Sequence, residues 1–187
     1  MSDLEPLSVA ISKCRLIISL LGPNSFKLAS NSVYADYYRA IIPLMRKHGV
    51  RRLFAMGTIS IYQPDDGFSL FRTLLVSLVM RTVVSSAYQN ILSIQKLFED
   101  EQATRDIDWT VYRIARIPGE SDAKSWAADR NDGEVYIGPI GHTGWTNVQK
   151  RGALARWLVG AAESGAPELV GQMPAVSRLA GSTVRES

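Results

Sequence analysis

RRLFAMGTISIY, residues 51–62, opens on a basic pair, runs through a short apolar segment, stops at Gly57 and then presents two hydroxyls, Thr58 and Ser60, before Tyr62. This is the pattern of a buried strand that delivers polar groups to its carboxyl end, where open α/β sheets place their ligands. Residues 36–48 before it have helical spacing and close at Gly49, and residues 15–21, RLIISLL, form an apolar run without strict alternation. A strand covered on both faces reads this way, as parallel strands do. Strand, helix, strand is the local unit. An α/β fold, with a parallel sheet flanked by helices, is the expectation.

Working outward, residues 4–12 have helix-compatible spacing, with Pro6 tolerable in a first turn. Gly22 and Pro23 stop the first strand, and a small polar loop follows over 24–32. The second helix turns Tyr38, Ile41, Ile42 and Met45 inward, and Pro43 in its interior should kink it or delay its start. Turn chemistry at 63–67 leads into a long helix expected from Ser69 to about residue 101. Its first half, SLFRTLLVSLVMRTVVSS, is apolar nearly all round with one polar stripe, and Arg72 and Arg81 interrupt it well short of a membrane span. A helix with two apolar faces can cover the sheet and also pair with a second copy, so a homodimer through residues 68–86 is expected.

DWTVYRI, residues 108–114, alternates and is rich in β-branched and aromatic residues, as a third strand would be. Residues 120–132 read as a loop anchored by Trp126, residues 134–137 as a short strand, 147–163 as an amphipathic helix and 168–171 as a last strand. One domain over 4–174 and a flexible tail over 177–187 complete the organisation.

The formal charge of +3 is mild and the basic residues are scattered, which argues against nucleic acid as a partner. Cys14 is the single cysteine, which excludes an internal disulfide framework and a thiolate metal cage. The start, MSDLEPLS, lacks a secretory signal, so a cytoplasmic protein without a membrane anchor is expected. His48 and His142 stand too far apart in sequence to suggest a metal site.

Four strings carry a resemblance to a known family: the strand ending LLGP at 20–23, HGVRRLFAMGT at 48–58, Lys96 followed by Glu99 and Asp100, and DIDWTVYRIARIPG at 106–119. Together they make residues 4–174 resemble the atypical short-chain dehydrogenases/reductases, in particular the NmrA-like, NAD(P)H-binding branch. The resemblance implies a Rossmann-like sheet, NAD or NADP as cofactor, and hydride transfer to a small organic acceptor. It further implies that Leu21, Gly22 and Pro23 pass the adenosine and ribose, that Gly57 and Thr58 lie near the nicotinamide ribose, and that Ile114 to Ile117 edge the nicotinamide. Lys96 matches the family lysine that holds the ribose hydroxyls.

Two departures bear on activity. Catalytic members carry a tyrosine four residues before that lysine, and here the position is Leu92; Tyr88, one turn further back, is the candidate substitute. The glycine turn that opens a dinucleotide fold and holds the pyrophosphate on a helix amino end belongs to a part of the fold that this sequence does not show. The only glycines with comparable spacing are Gly138, Gly141 and Gly144, which read as an ordinary glycine-rich loop. Without the family's first strand, the strand at 15–21 becomes a sheet edge, and such an edge invites pairing. Three readings stand: an oxidoreductase with Thr58, Lys96 and Tyr88 at its centre, a non-catalytic cofactor-sensing or interaction protein, and a fragment without cofactor affinity.

Overall fold

The computed structural model describes residues 4–22, 30–68, 70, 73 and 85–182. Pro23 and nearly all of the apolar stretch at 68–86 lie outside these residues. The elements run α1 (Leu4–Ile11), β1 (Leu16–Ser19), α2 (Val33–His48), β2 (Arg52–Thr58), α3 (Ser85–Glu99), α4 (Glu101–Thr104), β3 (Asp108–Ile114), α5 (Ala123–Asp129), β4 (Val135–Gly138), α6 (Arg151–Ser164) and β5 (Ala175–Arg178).

The five strands form one sheet in the order β1-β2-β3-β5-β4. β1, β2, β3 and β5 are parallel and β4 alone runs antiparallel, against β5. Ile18 pairs with Phe54 in parallel register, so the strand-helix-strand unit read from residues 15–58 is present. β1 ends the sheet on one side, as expected.

Successive residues of a strand face opposite sides, and β2 divides the core accordingly. Leu53 and Ala55 pack with Tyr38, Ile42 and Met45 of α2 and Ile91, Ile94 and Phe98 of α3. Phe54 packs on the other side with Tyr112, Val176 and Leu154, Leu158 and Ala161 of α6. Helices on both sides explain why the strands read as continuous apolar runs.

α2 runs unbroken from residue 33 with Pro43 on its exposed side, so it neither starts late nor stops there. Gly49 closes it at φ 70°, a conformation that glycine adopts without penalty. The helix expected to continue to about 101 instead breaks at Asp100, whose carboxylate caps α4 by accepting from Gln102 N and Ala103 N. Residues 120–132 contain a helix rather than a loop, because Asp122 caps α5 by accepting from Ser125 N. Trp126 is 40% exposed and is not its anchor. Buried Asp129 takes that role, 3.1 Å from Lys150 Nζ.

The last strand lies at 175–178 rather than 168–171. Residues 167–169 form a 3-10 turn after Ala166, a non-glycine residue at φ 41°, and Gly171 at φ 73° redirects the chain. Ala175, Val176 and Ser177 are buried, so the tail expected to be free from 177 is sheet as far as Arg178. Residues 147–149 pair with Arg116 instead of starting α6: Arg116 N donates to Asn147 O and Gln149 N to Arg116 O. Among the described residues no helix is long and apolar enough to cross a membrane, and no group of three or more His, Cys, Asp or Glu is placed to hold a metal ion.

Candidate functional site at the strand carboxyl ends

The carboxyl ends of β2 and β3 lie side by side, Gly57 level with Arg113 and Thr58 with Ile114, while β1 ends three residues earlier, with Ser19 level with Ala55. This register brings Gly57, Thr58 and Ile114 together. Thr58 is half-buried, and its hydroxyl oxygen accepts from Ser60 N at 3.2 Å. That bond caps the strand and still leaves the hydroxyl proton to donate.

Gly57 serves packing. A methyl group built on it would stand 2.8 Å from Val111 Cγ1 and 3.0 Å from Ile61 Cδ1, so the strand can carry no side chain here without displacing its neighbours. Leu21 packs against the first core cluster, and Gly22 lies against the end of the Met56 side chain. Ile114 is buried, and Ile117 is half-buried against the second cluster.

Ser19 gathers polar groups at the end of β1. Tyr38 OH donates to its hydroxyl at 2.8 Å, Tyr112 OH to its carbonyl at 3.0 Å, and Leu21 N to its hydroxyl at 3.3 Å. The two phenols arrive from opposite sides of the sheet, since Tyr38 belongs to the first cluster and Tyr112 to the second. Burial pushes the Tyr38 phenol up to about 12, outweighing the lowering effect of its bond to Ser19. Tyr112 is raised as well, by burial first and then by the proximity of Tyr38.

A phenol with a raised folded-state pKa stabilises the fold fully below its unfolded value and loses that contribution as pH climbs through the folded one. For Tyr38 the window runs from 10.0 to about 12. Urea midpoints measured at about pH 9 and about pH 11.5 should therefore fall steeply for the native chain and less for Tyr38→Phe. An equal fall in both would remove Tyr38 from the alkaline transition.

On α3, Tyr88 is half-buried, Leu92 is half-buried, and Lys96 is exposed in the last turn between the buried residues Ile94 and Leu97. No hydrogen bond or ion pair among the described residues joins Lys96 or Tyr88 to Thr58. The groups that fasten α3 to this end are others. Asn90, fully buried, donates to Ser30 O at 2.7 Å and to Ser86 O at 2.8 Å, and accepts from Tyr34 N at 3.3 Å. Gln95 donates to Tyr62 O at 3.3 Å.

Sequence reading missed the strongest polar interaction near the site. Arg113 and Asp66 form a two-pronged ion pair, Nη1 to Oδ2 at 2.6 Å and Nη2 to Oδ1 at 2.8 Å, with side chains 1% and 0% exposed. Arg113 also donates to Ile61 O at 2.9 Å, while Asp66 accepts from Ile140 N at 2.9 Å and Gln63 N at 3.0 Å. Burial alone would raise the Asp66 carboxyl, but the hydrogen bonds from Arg113, Ile140 N and Gln63 N and the guanidinium charge outweigh it and hold it below the usual range. The signal in the sequence was an arginine inside an otherwise uncharged strand core, TVYRI, and an acid in the turn QPDDG; what joins them is the fold.

Gly138, Gly141 and Gly144 lead into no helix amino end, since α6 begins at Arg151. A methyl built on Gly141 would meet Phe68 O at 2.8 Å and Gly67 C at 3.1 Å, so this loop is packed against the 67–68 backbone. The described residues supply no glycine turn leading into a helix amino end of the kind that holds a dinucleotide's pyrophosphate.

No protein-family model matches the sequence, and no curated protein matches it. Solved structures do resemble it. A short-chain dehydrogenase/reductase of Veillonella parvula in complex with NADP superposes with a TM-score of 0.65 at 10% identity, over 100% of this chain and 73% of the other. The oxidoreductase ylbE of Lactococcus lactis gives 0.58 at 14% identity, over 97% and 68%. ChuY, an anaerobillin reductase of Escherichia coli O157:H7, gives 0.52 at 15% identity, over 94% and 71%. At such identities the likeness establishes the fold, an α/β sheet of Rossmann-like form.

Proposed function

We propose that this chain is an NAD(P)H-linked oxidoreductase of the NmrA-like group of atypical short-chain dehydrogenases/reductases, acting on a small organic acceptor. The observation that carries the reading is the level ending of parallel β2 and β3, with Thr58 beside Ile114, and the chain leaving parallel β1 passing Gly22 against the Met56 side chain. Ligands of open α/β sheets bind outside such ends. The resemblance of the fold to a structure holding NADP supports the choice of cofactor.

A bound dinucleotide supplies the hydride. In this reading Thr58 donates its hydroxyl proton towards the nicotinamide ribose or the acceptor, Leu21 and Gly22 pass the adenosine side, and Ile114 and Ile117 keep water from the nicotinamide edge. Lys96 and Tyr88 remain candidates for the ribose hydroxyls and for proton supply. Because Leu92 stands where catalytic relatives carry a phenol, quinones or flavins, which can take a proton from water, suit the site better than simple carbonyls.

The test is a titration of NADPH and NADH against the four tryptophans, followed by turnover with a quinone and a flavin. Saturable quenching, weakened about tenfold in Thr58→Val through loss of one hydroxyl contact, is the expected result. Absence of quenching by either nucleotide rejects the proposal. Binding without turnover favours the second reading, a cofactor-sensing protein, for which Leu92 is the specific observation.

A further inference from the structure

A cavity of about 380 Å³ opens beneath the turn that follows β2, lined among others by Gln63, Asp65, Asp66, Arg113, Gln172 and Met173. It lies on the opposite side of the sheet from Ile114, since Arg113 and Ile114 are neighbours on β3 and point opposite ways. It shares the face of Gly57, which pairs with Arg113, but none of its lining residues is among those placed against the nucleotide above. Its size falls in the range of small-molecule sites, although its lining is mainly polar.

The hydrogen-bonding capacity left over in this cavity defines a complement. Asp66 is fully engaged by four N–H groups, from Arg113, Ile140 and Gln63, and the charges of Arg113 and Asp66 cancel. Arg113 Nε has no partner among the described residues, but it is fully buried and closed to a ligand. Gln63 spends its amide N–H groups on Tyr62 O and Met173 Sδ, and Gln172 donates to Glu168 O, so the side-chain carbonyls of both are turned to no donor among the described residues. Asp65 is exposed at the rim and in no ion pair among those residues. What remains open to a ligand is one uncompensated carboxylate and two amide oxygens, with no free cation in the lining.

We infer that this cavity binds a small hydroxylated amine, an amino sugar or amino alcohol in chemical class. The ammonium pairs with Asp65, and hydroxyl protons go to the oxygens of Gln63 and Gln172. A phosphorylated or carboxylated ligand meets Asp65 and the two amide oxygens, all acceptors, and is repelled.

The experiment is calorimetric titration of the full chain with D-glucosamine, D-glucose and D-glucose 6-phosphate. Glucosamine should bind saturably, glucose about tenfold more weakly and the phosphate ester not at all. Asp65→Asn, a substitution at an exposed position, should bring glucosamine down to glucose, and Gln172→Ala should weaken both. The inference is overturned if none of the three binds saturably, if the phosphate ester binds tightest, or if Asp65→Asn leaves the preference for glucosamine intact.

Discussion

Asp66→Ala lowers the unfolding free energy by about 3–5 kcal/mol, the cost of removing one partner from a buried ion pair. Arg113, 1% exposed, then keeps its charge with no counter-ion, and Ile140 N and Gln63 N lose their acceptor. The loss is a large share of the total stability of about 5–15 kcal/mol typical of a domain. It is read as a shift of the urea midpoint followed by tryptophan fluorescence. Asp66→Asn keeps the shape and an acceptor oxygen but not the charge, and should fall between. A loss under about 1 kcal/mol for Asp66→Ala would mean that water reaches Arg113 and that the pair resembles an exposed one.

The same pair sets an acid limit. A carboxylate held below its unfolded value contributes stability that is fully present above that value and is lost as pH falls through the folded one. Asp66 is lowered from 3.8, so its contribution is complete at neutral pH and disappears only below 3.8. Asp66→Asn should flatten the acid side of the stability profile.

Arg52→Ala is the second large effect, a loss of about 3 kcal/mol, because three carbonyls and a buried hydroxyl lose a charged donor at once. From the first position of β2 the guanidinium donates to Gly165 O at 2.7 Å, Asp108 O at 2.6 Å, Thr110 Oγ1 at 2.9 Å and Ala166 O at 3.2 Å. It also lies over the Phe54 ring, 3.9 Å from its centre. One side chain thereby ties β2 and β3 to the turn after α6, where Ala166 is held at φ 41°. Faster amide exchange at residues 165–167 should accompany the lost stability. Arg52→Lys should recover only part of it, since an ammonium cannot present the planar fork. Full recovery by lysine would reduce the role to charge alone.

These two arginines, Arg52 at the amino end of β2 and Arg113 beside the candidate site, show why the buried polar contacts were only partly legible. Both stand in strands whose apolar neighbours were read correctly, and the sequence marks each as an oddity. Their partners lie far along the chain, 47 residues from Arg113 to Asp66 and 113 from Arg52 to Gly165. No local pattern couples residues at those distances. The carboxyl-end residues Gly57 and Thr58 were legible because a strand that stops at glycine and hydroxyls is a local signal. The nearby cluster of Ser19, Tyr38 and Tyr112 was not, because α2 and β3 bring their phenols to one serine from opposite sides of the sheet.

By itself the sequence determined that β1, β2 and β3 are strands, that α2 lies between the first two, and that both faces of the sheet are covered. Each of these rests on short-range physics: runs of apolar residues with the right period, and a glycine free to take φ 70° where a helix must end. Only the tertiary structure decided that the last strand is 175–178, that β4 runs against the others, and that the charges of Arg113 and Asp66 are buried together. Edge pairing and the burial of a charge depend on which partner the folded chain delivers, and the desolvation of a polar group is offset only once that partner is in place.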